Sequence, residues 1–232
     1  MKDSLSCSHK SCVSIVPIFN HLQPEELNEV MQVVQNLSFN KDELVYHAED
    51  ISDALYIVNK GKIKIYRLSE TGKEQLVRVL KPGDFTGELT LFKDKTATQE
   101  AYAEAIEPSS ICMIQRNDFQ ELLLKYPSIS LKVLTEFSNR LETSERQTTS
   151  FATEETDTRI AVFLSELIDK DGGNKKEQAV YLPMARKDLA SYLGTTPETL
   201  SRQLKNFENN NLIKQENNRK IIILDLDKLL LV

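Results

Sequence analysis

The chain has 232 residues, 40% of them hydrophobic, and a net charge of −6. That length is long for one core and comfortable for two domains of about 100 residues each. No apolar run approaches the ~18 residues of a membrane span and the first residues are polar rather than a signal peptide. A soluble protein of the cytoplasm is therefore expected, where structural disulfides are uncommon.

Residues 1–20 read as a polar leader carrying Cys7, His9 and Cys12. A helix is predicted from Gln23 to Val34, with Pro24 at its start and acids in its first turn. From Leu37 to about Gln115 the pattern changes to short strands. Ala54–Val58, Gly61–Tyr66 and Gln75–Leu80 are rich in β-formers, and Asn59-Lys60-Gly61, Thr71-Gly72 and Lys81-Pro82-Gly83-Asp84 punctuate them. Many short strands at this spacing predict an antiparallel jelly roll spanning residues 21–126.

A long helix is expected over residues 127–151. Leu134, Phe137, Leu141, Ser144, Thr148 and Phe151 recur in alternating steps of three and four, a coiled-coil seam with two polar positions. An ordinary amphipathic helix packed on its own domain is the competing reading. Thr153-Glu-Glu-Thr-Asp157 reads as a hinge, with Asp157 or Thr156 as the cap of the next domain, residues 155–232.

Ala185 to Leu204 is the most informative stretch. Ala190 lets two helices approach, Gly194 supplies a sharp turn, Thr196 caps a second helix and Pro197 occupies its first position. Leu200, Leu204 and Phe207 form the apolar face of that helix. Glu198, Ser201 and Arg202 share the opposite face, where an acceptor, a hydroxyl and a guanidinium suit base edges in a DNA major groove. Thr196, Thr199 and Lys205 complete the candidate contacts on this helix. Leu212–Glu216 and Arg219–Leu224 read as paired strands of a wing around Asn217-Asn218, a turn that left-handed asparagine tolerates, with Arg219 and Lys220 directed at the phosphate backbone. The charge agrees: residues 186–220 carry a surplus of three cations, leaving −9 on the remainder.

Gly194-Thr-Thr-Pro-Glu-Thr-Leu-Ser-Arg202 resembles the recognition-helix signature of the CRP/FNR transcription regulators, and Glu198-x-x-Ser201-Arg202 is similar to the FNR branch. The resemblance runs over nearly the whole chain, including Gly87-Glu88-Leu89 after the Pro-Gly turn. It implies an α+β chain: a cyclic-nucleotide-binding-like jelly roll, a dimerisation helix and a C-terminal winged helix-turn-helix. It also implies a homodimer on double-stranded DNA with TTGAT half-sites, and RNA polymerase as a partner. Cyclic nucleotide binders of the family carry an Arg about ten residues after Gly-Glu-Leu. Here Thr96–Tyr102 has none and no Arg lies between Arg78 and Arg116, so cyclic AMP is not expected.

Cys112, in the strand Ser110–Ile114, matches the internal cluster cysteine of the FNR proteins. With Cys7 and Cys12 it completes the three cysteines of the chain. The pattern is similar to the Flp-type regulators, for which a dithiol switch and a link to zinc are both implied. Three readings stay open: a thiol–disulfide switch pairing Cys7 or Cys12 with Cys112; a zinc site or iron–sulfur cluster using Cys7, His9, Cys12 and Cys112; and inert cysteines in a constitutive DNA binder. No Ser–His–Asp set, HExxH or Gly-rich phosphate loop is present, so no enzyme is expected. A pure protein-interaction module would leave Glu198, Ser201 and Arg202 without a role.

Overall fold

The computed structural model describes residues 13–51, 53–168 and 178–232. The chain forms two compact units, one built mainly on residues up to 140 and one on residues 141–232.

The first unit begins with α1 (Pro24–Gln32), which has Pro at its start and Glu26 capping Gln23, and continues into β1 (Val34–Phe39). The sheet thus begins at Val34, earlier than the sequence pattern placed it. The strands that follow are β2 (Leu44–Tyr46), β3 (Ala54–Lys60), β4 (Ile63–Leu68), β5 (Glu74–Leu80), β6 (Phe85–Thr86), β7 (Tyr102–Ala105) and β8 (Ser109–Gln115), with the short helix α2 (Glu88–Leu91) after β6. They form two four-stranded sheets, ordered β1-β8-β3-β6 and β2-β7-β4-β5, with antiparallel pairing, as a jelly roll requires.

Strand β3 shows why the apolar run Ala54–Val58 does not alternate. Val58 turns into a core with Tyr46, Ile63, Ile65 and Ile111, whereas Leu55 and Ile57 meet helices on the other face. A strand covered on both faces is apolar on both. The helical layer comprises α1, α3 (Arg116–Lys125) and the start of α4 (Pro127–Thr153). Val13, Val16, Ile18 and Phe19 are also buried here, so residues counted with the polar leader belong to the core of this unit.

Helix α4 runs two residues beyond the predicted end. The next helix, α5 (Thr156–Glu166), has Glu155 at its N-cap, correcting the expectation of Asp157 or Thr156. Neither side chain caps: Asp157 Oδ1 takes the N–H of Thr158, and the Thr156 hydroxyl lies 3.3 Å from Arg159. Then come β9 (Gln178–Tyr181), α6 (Arg186–Tyr192), α7 (Pro197–Asn209), β10 (Ile213–Gln215), β11 (Lys220–Ile223) and α8 (Leu226–Leu229). The wing is a three-stranded antiparallel sheet, β10-β11-β9, rather than the expected pair. Among the described residues no helix is long and apolar enough to cross a membrane.

Candidate nucleic-acid interface and sensor site

The turn between α6 and α7 is built as its residues dictate. Gly194 has φ +66°, a conformation L side chains rarely adopt, and an added Cβ would meet the Phe151 ring at 3.4 Å. Thr195 N donates to Ala190 O at 2.9 Å across the junction where Ala190 is buried. Thr196 Oγ1 accepts from Thr199 N at 3.2 Å and Pro197 opens the helix. The same Oγ1 lies 3.1 Å from the Thr199 hydroxyl, so both threonines set the helix start.

Burial then divides α7 into two faces. Leu200, Leu204 and Phe207 are at most 1% exposed, whereas Glu198, Ser201, Arg202 and Lys205 are exposed. The apolar face fixes the rotation of the helix and leaves the polar residues facing out as one surface. Lys205 Nζ pairs with Glu208 at 3.0 Å.

The wing departs from expectation at its turn. Asn217 and Asn218 are not left-handed; the left-handed asparagine is Asn211 (φ 57°), just past the end of α7. Asn217 works through its side chain, Oδ1 accepting from Arg219 N and Lys220 N at 2.8 Å each, an Asx-type turn. Arg219 is exposed, its guanidinium 3.3 Å from Leu182 O. Lys220 is only partly exposed. It pairs with Glu216 at 2.7 Å and lies over the Tyr181 ring, and the carboxylate holds its ammonium above the usual lysine range. Arg186, which sequence reasoning passed over, reaches the carbonyls of Asn217 and Asn218 at 3.4 Å. Only its place at the start of α6 could have signalled that contact.

Along α4, Leu134 and Leu141 are each 61% exposed, and Ser144 and Thr148 are also exposed. The Thr148 hydroxyl donates to Ser144 O at 2.9 Å, so it needs no outside partner. Phe137 and Phe151 have contacts within their own chain. Phe137 meets Phe92 edge-on at 5.8 Å, and Phe151 has the Arg159 guanidinium over its ring at 5.5 Å.

In the first unit, Gly87 has φ +87° and runs so close to β3 that a Cβ would sit 2.3 Å from Ala54 O. This turns Glu88 inward, leaving it 2% exposed. Its Oε1 accepts from Arg78 at 3.1 Å and from Arg140 of α4. Arg140 also donates to Phe85 O at 3.0 Å and covers the Phe85 ring at 4.2 Å. The cavity beside Glu88 measures about 40 Å³ and is lined by Tyr46, Arg67, Arg78, Lys93 and Glu100 among others. Burial pushes the Tyr46 phenol up to about 12. Thr96–Tyr102 supplies no Arg, but strands and turns bring three other cations to this cavity, Arg67, Arg78 and Lys93. All are matched by carboxylates, Arg67 and Lys93 on Glu100 and Arg78 on Glu88.

Cys112 is fully buried on the helix-facing side of β8, opposite Asn36 and Ile57 in the neighbouring strands. It is disulfide-bonded. Its sulfur lies 3.4 Å from Asn36 Oδ1. The other cysteines, Cys7 and Cys12, and the candidate ligand His9 lie outside the described residues.

Comparison with known proteins agrees with this geometry. Residues 36–126 match the family model of the cyclic nucleotide-binding domain, and residues 158–231 that of the Crp-like helix-turn-helix domain. The chain is 36% identical over 205 residues to a probable transcriptional regulator flp of Lacticaseibacillus casei, covering 88% of this chain and 90% of that protein. It is 31% identical over 180 residues to the nitrogen fixation regulation protein FixK of Rhizobium meliloti, covering 78% of each. Among solved structures, FixK2 from Bradyrhizobium japonicum superimposes with a TM-score of 0.70 at 25% identity, over 85% of this chain and 96% of that one. With a capped helix-turn-helix, a wing and a jelly roll in the family's order, the chain belongs to the CRP/FNR family of DNA-binding transcription regulators.

Proposed function

We propose that this protein is a homodimeric, non-catalytic regulator of the cytoplasm that reads a TTGAT-type palindrome and whose signal is the redox state of its cysteines. The observation that carries the DNA reading is α7. Its cap and buried apolar face leave Glu198, Ser201 and Arg202 exposed together. In the groove Arg202 donates twice to a guanine, Glu198 accepts from a cytosine amino group, and Ser201 lies against a neighbouring thymine. Thr196 and Thr199 set the helix end, and Lys205 and Arg219 meet phosphates. Two such helices on half-sites one helical turn apart require a dimer, and the exposed leucines of α4 supply an apolar stripe for it. RNA polymerase is the partner at the promoter.

The disulfide of Cys112 favours the thiol switch over the metal reading. Cyclic AMP is a poor fit for this site: Thr96–Tyr102 supplies no Arg for its phosphate, and the cations beside Glu88 are already matched by Glu88 and Glu100. The test is selection of duplexes from a randomised pool, followed by binding measurements on reduced and oxidised protein. Arg202→Ala should cost about 1–3 kcal/mol and relax selection at the guanine. Wild-type affinity in that variant would overturn the base assignment.

A further inference from the structure

Glu208 stands where electrostatics disfavours a carboxylate twice. It lies in the last turn of α7, at the negative end of the helix dipole, and on the element that approaches DNA phosphates. Its bonds show what holds it there. Oε1 accepts from the backbone N–H of Gln215 at 2.9 Å, and Oε2 accepts from Gln215 Nε2 at 3.3 Å and Lys205 Nζ at 3.0 Å. Gln215 is the last residue of β10, and the loop that follows it carries Arg219. The Gln215 N–H, before all other causes, keeps the Glu208 carboxyl below the ordinary glutamate range.

We infer that Glu208 is a positioning residue for DNA recognition. One carboxylate fixes both the first wing strand and the Lys205 ammonium relative to the recognition helix, so Arg202 and Arg219 are presented at one spacing. The inference rests on α7 being the recognition helix. The two bonds from Gln215 set the wing's distance from the helix more tightly than apolar contact alone, because hydrogen bonds are directional where burial is not, and the Lys205 bond holds the carboxylate in place on its own helix.

The experiment compares the full-length variants Glu208→Ala, Glu208→Gln and Gln215→Ala by fluorescence anisotropy. The probes are a palindromic duplex selected by the wild type and a scrambled duplex of equal length. Glu208→Ala should weaken the selected duplex about tenfold, the size of a lost charge-assisted hydrogen bond. The scrambled duplex should bind equally or more tightly, because a charge that repelled phosphate is gone. Glu208→Gln, which keeps an acceptor for the Gln215 N–H, should restore most of the selected-site affinity. Gln215→Ala should shift the ratio of the two affinities in the same direction as Glu208→Ala while leaving the helix untouched. Equal loss on both duplexes, or selected-site affinity within twofold of wild type, would overturn the positioning role. Arg202→Ala, run in parallel, separates the two ideas. Unchanged selection in that variant removes the recognition-helix reading itself, whereas lost selection there with normal Glu208→Ala binding removes the positioning role alone.

Discussion

The buried Arg78–Glu88–Arg140 triad makes a quantitative prediction. Glu88→Gln keeps the size and an acceptor but deletes the carboxylate that both guanidiniums bond, leaving them beside each other with side-chain exposures of 28% and 22%. Removing one partner of a fully buried ion pair costs about 3–5 kcal/mol. The residual solvent at both arginines, and the Phe85 carbonyl that continues to accept from Arg140, reduce this to about 2–3 kcal/mol. For a chain of this size each kcal/mol lowers the melting temperature by about 2–4 °C, so a fall of roughly 5–10 °C is expected by calorimetry. Replacing all three residues, as Arg78→Met, Glu88→Leu and Arg140→Met, should recover most of the loss, because an apolar triad carries no desolvation cost. A Glu88→Gln protein within about 0.5 kcal/mol of wild type, or a triple variant as unstable as the single, would refute the account of this buried cluster.

Leu141→Asp should yield monomers in analytical ultracentrifugation and abolish palindrome binding, while Ser144→Leu or Thr148→Leu should tighten the dimer by adding apolar surface to the stripe. Arg219→Gln should lower the slope of log affinity against log salt by about 0.9, the share of one phosphate, equally on specific and scrambled DNA. Lys220→Gln should lower it less, because Glu216 already neutralises that ammonium. Cys112→Ser should abolish any response of DNA affinity to oxidant. If Cys112 is joined to the leader, the loop of about 100 residues makes reduction of the wild type cost at most roughly 4–5 kcal/mol in chain-entropy terms. Identical redox responses in wild type and Cys112→Ser would show that this cysteine only fills the core.

The parts legible in the sequence are those whose signals are local. The turn at Gly194, the cap at Thr196 and the apolar spacing of Leu200, Leu204 and Phe207 all act within a few residues, and each is in place. What was not legible depends on partners far along the chain. Glu88 and Arg140 meet across 52 residues, and no spacing rule announces such a pair. Strand β9 is only four residues long, Gln178–Tyr181, too short a run to mark a strand until β11 lies beside it. Val13, Val16, Ile18 and Phe19 form an apolar cluster at the end of the polar leader, broken by Ser14 and Pro17, and it is tertiary burial that decides their state. At the wing turn an asparagine offers either a left-handed backbone or a side-chain acceptor. Asn217 takes the second and Asn211 the first, a choice set by where helix α7 ends.

Strand order in the wing also governs how the DNA-reading unit can assemble. Strand β11 lies between β10, its neighbour in sequence, and β9, which precedes the helix-turn-helix. The β10–β11 hairpin closes a short loop, whereas pairing Lys220 with Tyr181 must enclose both α6 and the recognition helix α7. Loop closure over that separation is entropically later, so the helices are trapped in place by the last strand to join. A fragment cut after Tyr181 would keep every candidate base contact and lose the clasp. Hydrogen exchange should find the amides of Ile221 and Ile223 far less protected in such a fragment than in the full chain, and transplanting this reading head into another regulator would require carrying β9 with it.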